Sequence, residues 1–394
     1  CGLMYLVATR LLNDGLAGLL AALMLAGTHL FRFHSLMAMA NLPAMFMLLV
    51  LVWMWLHWRQ RSASLPWTLA LGAAGGWMLI LRPVDALCVV VPIAAAMLLT
   101  LLKQRRSVPA IARVVFVLIL GATPLLAIQA IFNRGVTGSW MTPPFQAYSE
   151  RFTPHVGFGF PHYDPSRQPD TQLLQKRLLY EQWVVPYVRD HEPDRFLMTL
   201  ATQRLPSALR ESVPVTLLLV LAPLGLLAVS ARSRWVIVVM VPAFFGAYAF
   251  YTFHLTQYGL LIVPSMIVLV LLGARVLTAH LAHWPAMRVA VPLSIAAAVV
   301  LHLPETDAVY DDTTFMPVMT ASHNLPGNIA QPAVVLYRFA EGNNLHEEPV
   351  YNTDVDWPDE ASIIRAHDLG DEANRAIYSY FAKTQPHRCL LYTS

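Results

Sequence analysis

The sequence is short of charge. Only 13% of its 394 residues are Asp, Glu, Lys or Arg, whereas an ordinary soluble domain has about a quarter. The net charge of +3 is too small to indicate a nucleic-acid partner. Because 56% of the residues are hydrophobic, the composition predicts a membrane protein.

Cysteines and acids are scarce as well. Cys1, Cys88 and Cys389 lie far apart, which excludes a disulfide framework and a zinc-ligand spacing. Asp14 and Asp85 are the only acids before residue 150, and no acid occurs between 213 and 303. The apolar part therefore offers few carboxylates for catalysis. No cofactor is indicated, and a need for a divalent metal is left open.

Long apolar runs fill the first 303 residues, and they are of a length to cross a bilayer core of about 30 Å as helices. The predicted fold is an all-α polytopic membrane domain (1–303) with a large extracytoplasmic loop (133–212) and a small α/β tail (304–394). We predict nine spans, at 15–33, 36–58, 67–81, 84–102, 114–132, 213–230, 235–253, 259–280 and 289–303.

Lys and Arg cluster in four short loops between these spans, at 58–62, 103–113, 231–234 and 275–288. Such loops mark the cytoplasmic side of a membrane protein. Nine alternating spans then place the 133–212 loop and the tail outside. The sequence thus predicts a multi-pass membrane protein.

The polar segments predict some structure of their own. The first half of the 133–212 loop is rich in turn residues and reads as irregular. From Thr171 onward apolar residues recur at helical spacing, which predicts an amphipathic helix on the membrane surface. In the tail, 333–337 and 361–366 read as strands, and a helix follows Gly370.

Two opposite charges stand inside the apolar stretch LILRPVDAL, at Arg82 and Asp85. Such residues are costly in hydrocarbon, and they usually pair, face a cavity or lie near the surface. Pro83 breaks the helix here and makes a hairpin tip. One interpretation is an ion pair at a snorkelling tip. The other is a guanidinium that binds a lipid-linked phosphate and is oriented by Asp85.

The turn HLTQY contributes His254, Gln257 and Tyr258 at the predicted outer face. These residues are candidates for contact with a substrate. The competing interpretation is that they belong to the aromatic belt that lies at membrane interfaces.

Polar and aromatic residues of the outer loop are further candidates, because Tyr148, Glu150 and Arg151 could grip a sugar. An exposed loop would contain such residues regardless of function. His155, His162 and Asp164 make a poor metal site, since their proline-rich segment fixes no common ligand face.

The layout resembles a known superfamily. LALGAAGGWMLILRPVDAL, a long outer loop that begins near NRGVTGSW, HLTQYGLLIVP and a soluble tail together look like the GT-C glycosyltransferases. These membrane enzymes use polyprenyl-phosphate sugars, and they include protein O-mannosyltransferases and the lipid A aminoarabinose transferase. The opening LVATRLLNDGLAGLLAALML is similar to the stretch that leads into their third span. The resemblance covers most of 1–303.

The resemblance implies a polyprenyl-phosphate-linked sugar as donor, membrane lipids as the other partners, and a bacterial inner membrane as the location. The catalytic acid of this family lies in the first extracytoplasmic loop, so we expect it upstream of Cys1 and expect this chain to be a fragment. Arg82 is then a candidate cation beside the departing phosphate. We also expect CLLYTS, at 389–394, to be foreign to the protein.

Other classes of protein share this architecture. A transporter or flippase of lipid-linked sugars would need polar residues or broken helices near the membrane midplane. An O-antigen ligase or polymerase also has many spans and a large outer loop. A structural scaffold would leave the long outer loop unexplained.

Overall fold

A computed structural model of the chain describes residues 1–37, 39–61, 64–229, 234–281, 283–308, 329–340 and 355–393, together with 342, 345, 350 and 352. The predicted basic loops at Ser62 and 231–233 lie outside the described residues, as do 309–328 of the tail and Ser394. The chain forms two compact units. The first contains Cys1–Ala147, Gly157–Phe160 and Asp190–Asp307, and the second contains Tyr148–Val156, Pro161–Arg189 and Ala308–Ser394.

The described residues are mostly helical. In chain order the α-helices are α1 (Gly2–Leu12), α2 (Gly15–Gly27), α3 (His29–Ser35), α4 (Asn41–Gln60), α5 (Leu65–Leu81), α6 (Pro83–Lys103), α7 (Val108–Thr137), α8 (Pro144–Phe152), α9 (Leu174–Leu179), α10 (Val185–Arg189), α11 (Phe196–Thr199), α12 (Leu205–Glu211), α13 (Leu221–Leu226), α14 (Arg234–Tyr248), α15 (Val263–His280), α16 (Met287–Ala308) and α17 (Asp371–Thr384). Turns of π-helix occupy Tyr180–Val184 and Leu200–Arg204, and 3₁₀ turns occupy Thr216–Val220, Thr256–Ile262 and Pro358–Glu360.

Several helices are long and apolar enough to cross a membrane. Among the described residues, α4, α6, α7 and the combined helix Thr256–His280 meet this requirement. Two bent pairs raise the number to six. One joins α2 to α3 at 65°, and the other joins Phe196–Glu211 to Thr216–Leu226 at 106°. The apolar window of α7 is only 11% buried, which suits a helix that faces lipid.

The nine predicted spans are not confirmed. The predicted span at 15–33 is interrupted at Thr28, and the one at 213–230 is a 3₁₀ turn followed by the six-residue α13. The predicted span at 235–253 stops as a helix at Tyr248. Apolar helices of 10–17 residues cover other parts of the prediction, namely α1, α5, α14 and Met287–Leu303.

Local chemistry explains the helix ends that matter most. α1 ends at Asn13, which has a left-handed conformation (φ 52°). The Asp14 carboxylate then accepts hydrogen bonds from the backbone N–H groups of Leu16 and Ala17 at 2.9 and 3.2 Å. An aspartate directly before the apolar run at Gly15 predicts such a helix cap from the sequence, and the structure confirms it for Asp14. Arg82 is the residue between α5 and α6, and Pro83 occupies the first position of α6, where its missing N–H costs nothing.

Glycines set the closest helix contacts in the first unit. Where α5 packs on α7, a Cβ on Gly72 would overlap the carbonyl oxygen of Leu118, and one on Gly121 would overlap that of Leu69. α13 and α15 approach in the same way through Gly225 and Gly273. Close approach through small residues is the usual way to pack helices in lipid.

The second unit contains a three-stranded parallel sheet. Its strands are β1 (Ala333–Tyr337), β2 (Ile363–His367) and β3 (Cys389–Thr393), in the order β2-β1-β3. Ala333 is in register with Ile363 on one side and with Cys389 on the other. α17 connects β2 to β3, and its Phe381 packs with Val334, Leu336 and Ile364 in the core.

These elements test the predictions for the polar segments. β1, β2 and α17 confirm the two strands and the helix predicted for the tail, whereas β3 was not predicted. α9, the π-turn and α10 confirm a helical second half of the outer loop. The prediction of an irregular first half is wrong for α8, which forms at 144–152 in spite of Pro144 because proline suits a first helical turn.

The glycine contact between α5 and α7 gives a stability prediction. We expect Gly72→Ala to lower the free energy of unfolding by about 1–3 kcal/mol, since the new methyl group forces two backbones apart. Gly135→Ala is the matched control, because it lies in α7 with nothing within 4 Å of a Cβ. Thermal unfolding in detergent measures both variants. A Gly72→Ala protein as stable as the control would contradict the close packing.

Candidate functional site

Arg82 and Asp85 form a buried ion pair at the junction of α5 and α6. The Nε of Arg82 lies 3.0 Å from Oδ2 of Asp85, and the two side chains are 14% and 2% exposed. Pro83 ends α5 and starts α6, so Asp85 stands one turn into α6 and faces back toward the arginine. The structure therefore confirms that these two charges meet each other.

Tyr248, the last residue of α14, joins this pair. Its hydroxyl accepts a hydrogen bond from Nη2 of Arg82 at 3.1 Å and donates one to Oδ1 of Asp85. Tyr248 is itself buried. The three side chains thus close a ring in which Oδ1 of Asp85 accepts from Tyr248 and Oδ2 is paired with the charge of Arg82, as a buried carboxylate requires.

The HLTQY turn meets the same group. The Cζ of Arg82 lies 4.5 Å from the centre of the Tyr258 ring, a distance that gives a cation–π contact. Tyr258 lies 5.2 Å from Tyr248, 6.2 Å from Tyr251 and 5.8 Å from His254, measured between ring centres. We call this group the arginine–tyrosine cluster. Its members are Arg82, Asp85, Tyr248, Tyr251, His254 and Tyr258.

Arg204 holds the backbone just before the HLTQY turn. It is buried, and its guanidinium donates to the carbonyl oxygens of Tyr251 and Thr252, both at 3.0 Å. Burial, together with the nearby charge of Arg204, lowers the pKa of His254 to about 4. His254 is therefore neutral at pH 7 and serves the turn as an aromatic packing residue.

The opposite end of the helices carries the other early acid. Asp14 accepts a hydrogen bond from Nη2 of Arg275 at 2.6 Å, and Nη1 of Arg275 donates to the carbonyl of Leu12. The Arg275 hydrogen bond lowers the pKa of Asp14. Nε of Arg234 donates to the carbonyl of Leu11 at 3.3 Å. Arg234 and Arg275 come from two of the loops that the sequence assigned to one side of the membrane.

The structure brings together some of the candidate residues and not others. Arg82, Asp85, His254 and Tyr258 belong to the cluster, and Gln257 is half-buried in the 3₁₀ turn beside Tyr258. The other three candidates lie in the second unit and are taken separately below.

Tyr148, Glu150 and Arg151 belong to a surface arrangement in the second unit. The Nζ of Lys176 lies 5.3 Å from the centre of the Tyr148 ring, and Arg151 pairs with Asp170 at 3.2 Å. Glu150 and Arg151 are exposed. Both charges of the Arg151 pair are mostly in solvent, so the pair contributes little to stability.

The histidine candidates have structural partners. Nδ1 of His155 shares a hydrogen bond with the Tyr180 hydroxyl at 2.7 Å, and its Nε2 accepts one from the backbone N–H of Asp164 at 3.2 Å. Burial lowers the pKa of His155. Within the part of the chain that the structure describes, no three His, Cys, Asp or Glu side chains are grouped so that they could hold a metal ion.

Sequence reasoning missed Tyr248, Tyr251 and Arg204. Both tyrosines lie near the aromatic end of the predicted span 235–253, where tyrosines usually belong to the interfacial aromatic belt. The single available signal was that Tyr248 and Tyr251 stand three residues apart and therefore share a face if helical. Arg204 carried no signal, because it lies in a segment with many other charges.

The cluster can bind an anion. Nε and one N–H of Nη2 of Arg82 are used by Asp85 and Tyr248. Among the described residues, nothing accepts from Nη1 or from the second N–H of Nη2. A half-buried guanidinium with donors to spare favours a doubly coordinated oxyanion such as phosphate.

Comparisons of the chain with protein-family models, with curated proteins and with solved structures find no match.

Removal of the Tyr248 hydroxyl tests the ring of hydrogen bonds. We expect Tyr248→Phe to lower the free energy of unfolding by about 1–3 kcal/mol, because one buried oxygen of Asp85 loses its donor. Tyr5→Phe is the control, since Tyr5 is 38% exposed on α1. Thermal unfolding in detergent would separate the two. Equal stability of both variants would contradict the ring.

The low pKa of His254 gives a pH prediction. The unfolded chain protonates this histidine near its ordinary pKa of 6.5, whereas the folded chain does so near 4. Stability is therefore complete above about pH 6.5 and falls as the pH drops toward 4. We expect His254→Phe to show a smaller loss of melting temperature between pH 7 and pH 4.5 than the unchanged chain. An identical pH dependence would refute a neutral, buried His254.

Proposed function

We propose that this chain is part of a membrane glycosyltransferase of the GT-C kind, which moves a sugar from a polyprenyl-phosphate donor to an acceptor outside the cytoplasm. The observation that carries the proposal is the arginine–tyrosine cluster. Arg82 in this cluster binds the phosphate of the donor.

The number of donors on Arg82 supports this role. An arginine that only neutralised Asp85 would use one edge of its guanidinium. Here Asp85 and Tyr248 contact the edge that carries Nε and Nη2, and the Tyr258 ring packs against the flat side of the guanidinium. The Nη1 edge remains for a ligand. A rigidly held guanidinium loses little entropy when phosphate binds, which favours tight recognition.

The position of the cluster supports the proposal too. It joins the RPVD hairpin to the HLTQY turn, and the sequence assigned both to the outer face. Arg82 caps α6, and Tyr258 lies in the first turn of the helix Thr256–His280. A lipid phosphate lies at the membrane interface, where the ends of spans are found. On that assignment, a polyprenyl phosphate at the interface could reach the cluster.

Asp85 is not the catalytic carboxylate in this proposal. Asp85 is buried, and its two oxygens are committed to Arg82 and Tyr248. A general base must reach the acceptor hydroxyl and lose its proton readily. Asp85 therefore positions Arg82, and we assign the base to the first extracytoplasmic loop of the complete protein, as in the superfamily that the sequence resembles.

A transporter of lipid-linked sugars is the second candidate. The two bent helix pairs favour it, because broken helices mark the substrate sites of many transporters. The breaks are also near each other. Nδ1 of His29, just after the break at Thr28, lies 3.3 Å from Oε2 of Glu211, just before the break at Ser212.

Substitution of Arg82 in the complete protein that contains this chain tests the proposal. We expect Arg82→Ala to lower kcat/KM for sugar transfer by about 10²- to 10³-fold, as loss of one preorganised donor group usually does. Arg82→Lys keeps the charge but lacks the planar fork, so its activity should be intermediate. Proteoliposomes with labelled short-chain polyprenyl-phosphate sugars provide the substrate.

Two controls accompany this experiment. Arg134→Ala removes another arginine, whose side chain is exposed and donates to the carbonyl of Gly138, and it should transfer normally. The melting temperature shows whether each variant folds. Unchanged sugar transfer by a folded Arg82→Ala protein would rule out the proposed role of Arg82. Movement of labelled donor across the bilayer without any transfer would favour the transporter.

A further inference from the structure

A turn that follows α7 presents large apolar side chains to the outside of the protein. Trp140, Met141 and Phe145 are 56%, 86% and 67% exposed. The sequence carries no charged residue from 135 to 149. Exposed apolar residues on an ordinary surface stand singly, whereas a patch of them marks a surface that contacts something else. We call residues 138–145 the tryptophan turn.

Hydrogen bonds hold the tryptophan turn against the last helical turn of α7. The Nδ2 of Asn133 donates to the carbonyl oxygen of Trp140 at 3.2 Å, and the Thr137 hydroxyl lies 2.9 Å from the carbonyl oxygen of Thr142. Gly138 permits the reversal of the chain, because its φ of 76° lies in the left-handed region. The chain thus folds back along α7 and brings Trp140 to the level of Asn133, about 6 Å before the end of the helix.

Charged side chains indicate where α7 leaves the hydrocarbon of a bilayer. Arg113 and Arg134 are exposed, and no charged residue lies between them. The stretch 114–133 is about 30 Å long as a helix, which equals the thickness of a bilayer core. The apolar window of α7 is only 11% buried, so lipid surrounds most of this stretch. Asn133, at its end, therefore lies where acyl chains give way to headgroups.

The fold-back and the charge pattern together place the tryptophan turn at the membrane interface. Because Trp140 is level with Asn133, it lies at the boundary between acyl chains and headgroups, where tryptophan is enriched. A belt role would account for Trp140 alone. Met141 and Phe145 have no polar group, so contact with acyl chains stabilises them more than contact with water does. The fold-back also moves these side chains toward the hydrocarbon rather than away from it.

We propose that the tryptophan turn inserts into the headgroup region of the bilayer and anchors the end of α7 there. The partner is the lipid surface itself. Trp140 lies among the headgroups, Met141 and Phe145 contact the first carbons of the acyl chains, and Asn133 holds the turn at that depth. The anchor fixes the point at which the polar segment after α7 begins. It is separate from the sugar-transfer proposal and stands whether or not that proposal holds.

The depth of a fluorescent label in the bilayer tests the proposal. Cys1→Ser and Cys389→Ser remove the two exposed cysteines and leave the buried Cys88. Met141→Cys in this background is labelled with nitrobenzoxadiazole, and the full chain is reconstituted in phosphatidylcholine liposomes. The quenchers are iodide in the water and phosphatidylcholine that carries a nitroxide either near the headgroup or near the end of an acyl chain. We expect the nitroxide near the headgroup to quench this label most.

Two further positions calibrate the depth. Ile119 lies in the middle of α7 and is 60% exposed, so a label on Ile119→Cys should be quenched most by the nitroxide near the chain end. Gln168 is exposed in a polar stretch, so a label on Gln168→Cys should respond to iodide alone. Iodide should quench the label on Met141→Cys several-fold less than the label on Gln168→Cys, because a charged group enters the membrane only at high cost.

A second pair of variants tests what holds the turn at its depth. Asn133→Ala removes the hydrogen bond to the carbonyl oxygen of Trp140, so the label on Met141→Cys should move toward water and become several-fold more sensitive to iodide. Thr123→Ala is the matched control, because the Thr123 hydroxyl donates to the carbonyl of Ile119 within the same helix, and it should leave the depth unchanged. The melting temperature shows whether each variant folds.

Each outcome supports or overturns the anchor. Quenching by the nitroxide near the headgroup that is lost in a folded Asn133→Ala protein and kept in Thr123→Ala supports it. A label on Met141→Cys that iodide quenches as fully as the label on Gln168→Cys would place the turn in water. Protection from iodide without quenching by either nitroxide would mean that protein covers the turn, and protection that disappears on dilution with lipid would mean a second copy of the chain. Each of these three results, or an unchanged depth in Asn133→Ala, overturns the proposal.

Discussion

The first unit, which contains the apolar helices, depends on the pairing of its few charged side chains. Only two acids occur before residue 150, and both are paired with an arginine: Asp85 with Arg82 and Asp14 with Arg275. Breaking a buried ion pair such as Arg82–Asp85 leaves an uncompensated charge and costs about 3–5 kcal/mol, whereas a partly exposed pair such as Asp14–Arg275 contributes less. The helices that carry these residues are therefore held to one arrangement. α6 is tied to α14 through Tyr248 at one end, and the α1–α2 junction is tied to α15 at the other.

The two pairs have different surroundings, and this difference follows from their positions. The Asp14 side chain is 38% exposed. It caps α2 and also accepts a hydrogen bond from Arg275. Asp85 is 2% exposed and needs Tyr248 as a second donor. An arginine held so firmly by a buried acid, a tyrosine hydroxyl and a tyrosine ring has a fixed orientation. In this it differs from a snorkelling side chain in solvent, which is mobile.

Part of this could be read from the sequence. The Arg-Pro-Val-Asp spacing predicted both the helix break and the pairing, because proline fixes the break and residues three apart meet on a helix. The capping role of Asp14 and the strands and helix of the tail were likewise local patterns. Tyr248 could not be found in this way, since its contact with Asp85 joins residues 163 positions apart. The number of spans was also beyond reach, because apolar composition does not reveal a 65° bend at Thr28 or the end of α14 at Tyr248.

The same scarcity of acids gives the two ends of α6 different chemistry. At its first turn Arg82 is paired with Asp85, so the net charge there is small. The remaining N–H donors of Arg82 are held in fixed directions. At its last turn Lys103 is exposed, so water solvates its charge. A buried charge must be matched by partners within the fold, whereas a solvated charge needs none. The two early acids therefore stand at the buried Arg82 and at the start of α2, where the fold needs a negative charge.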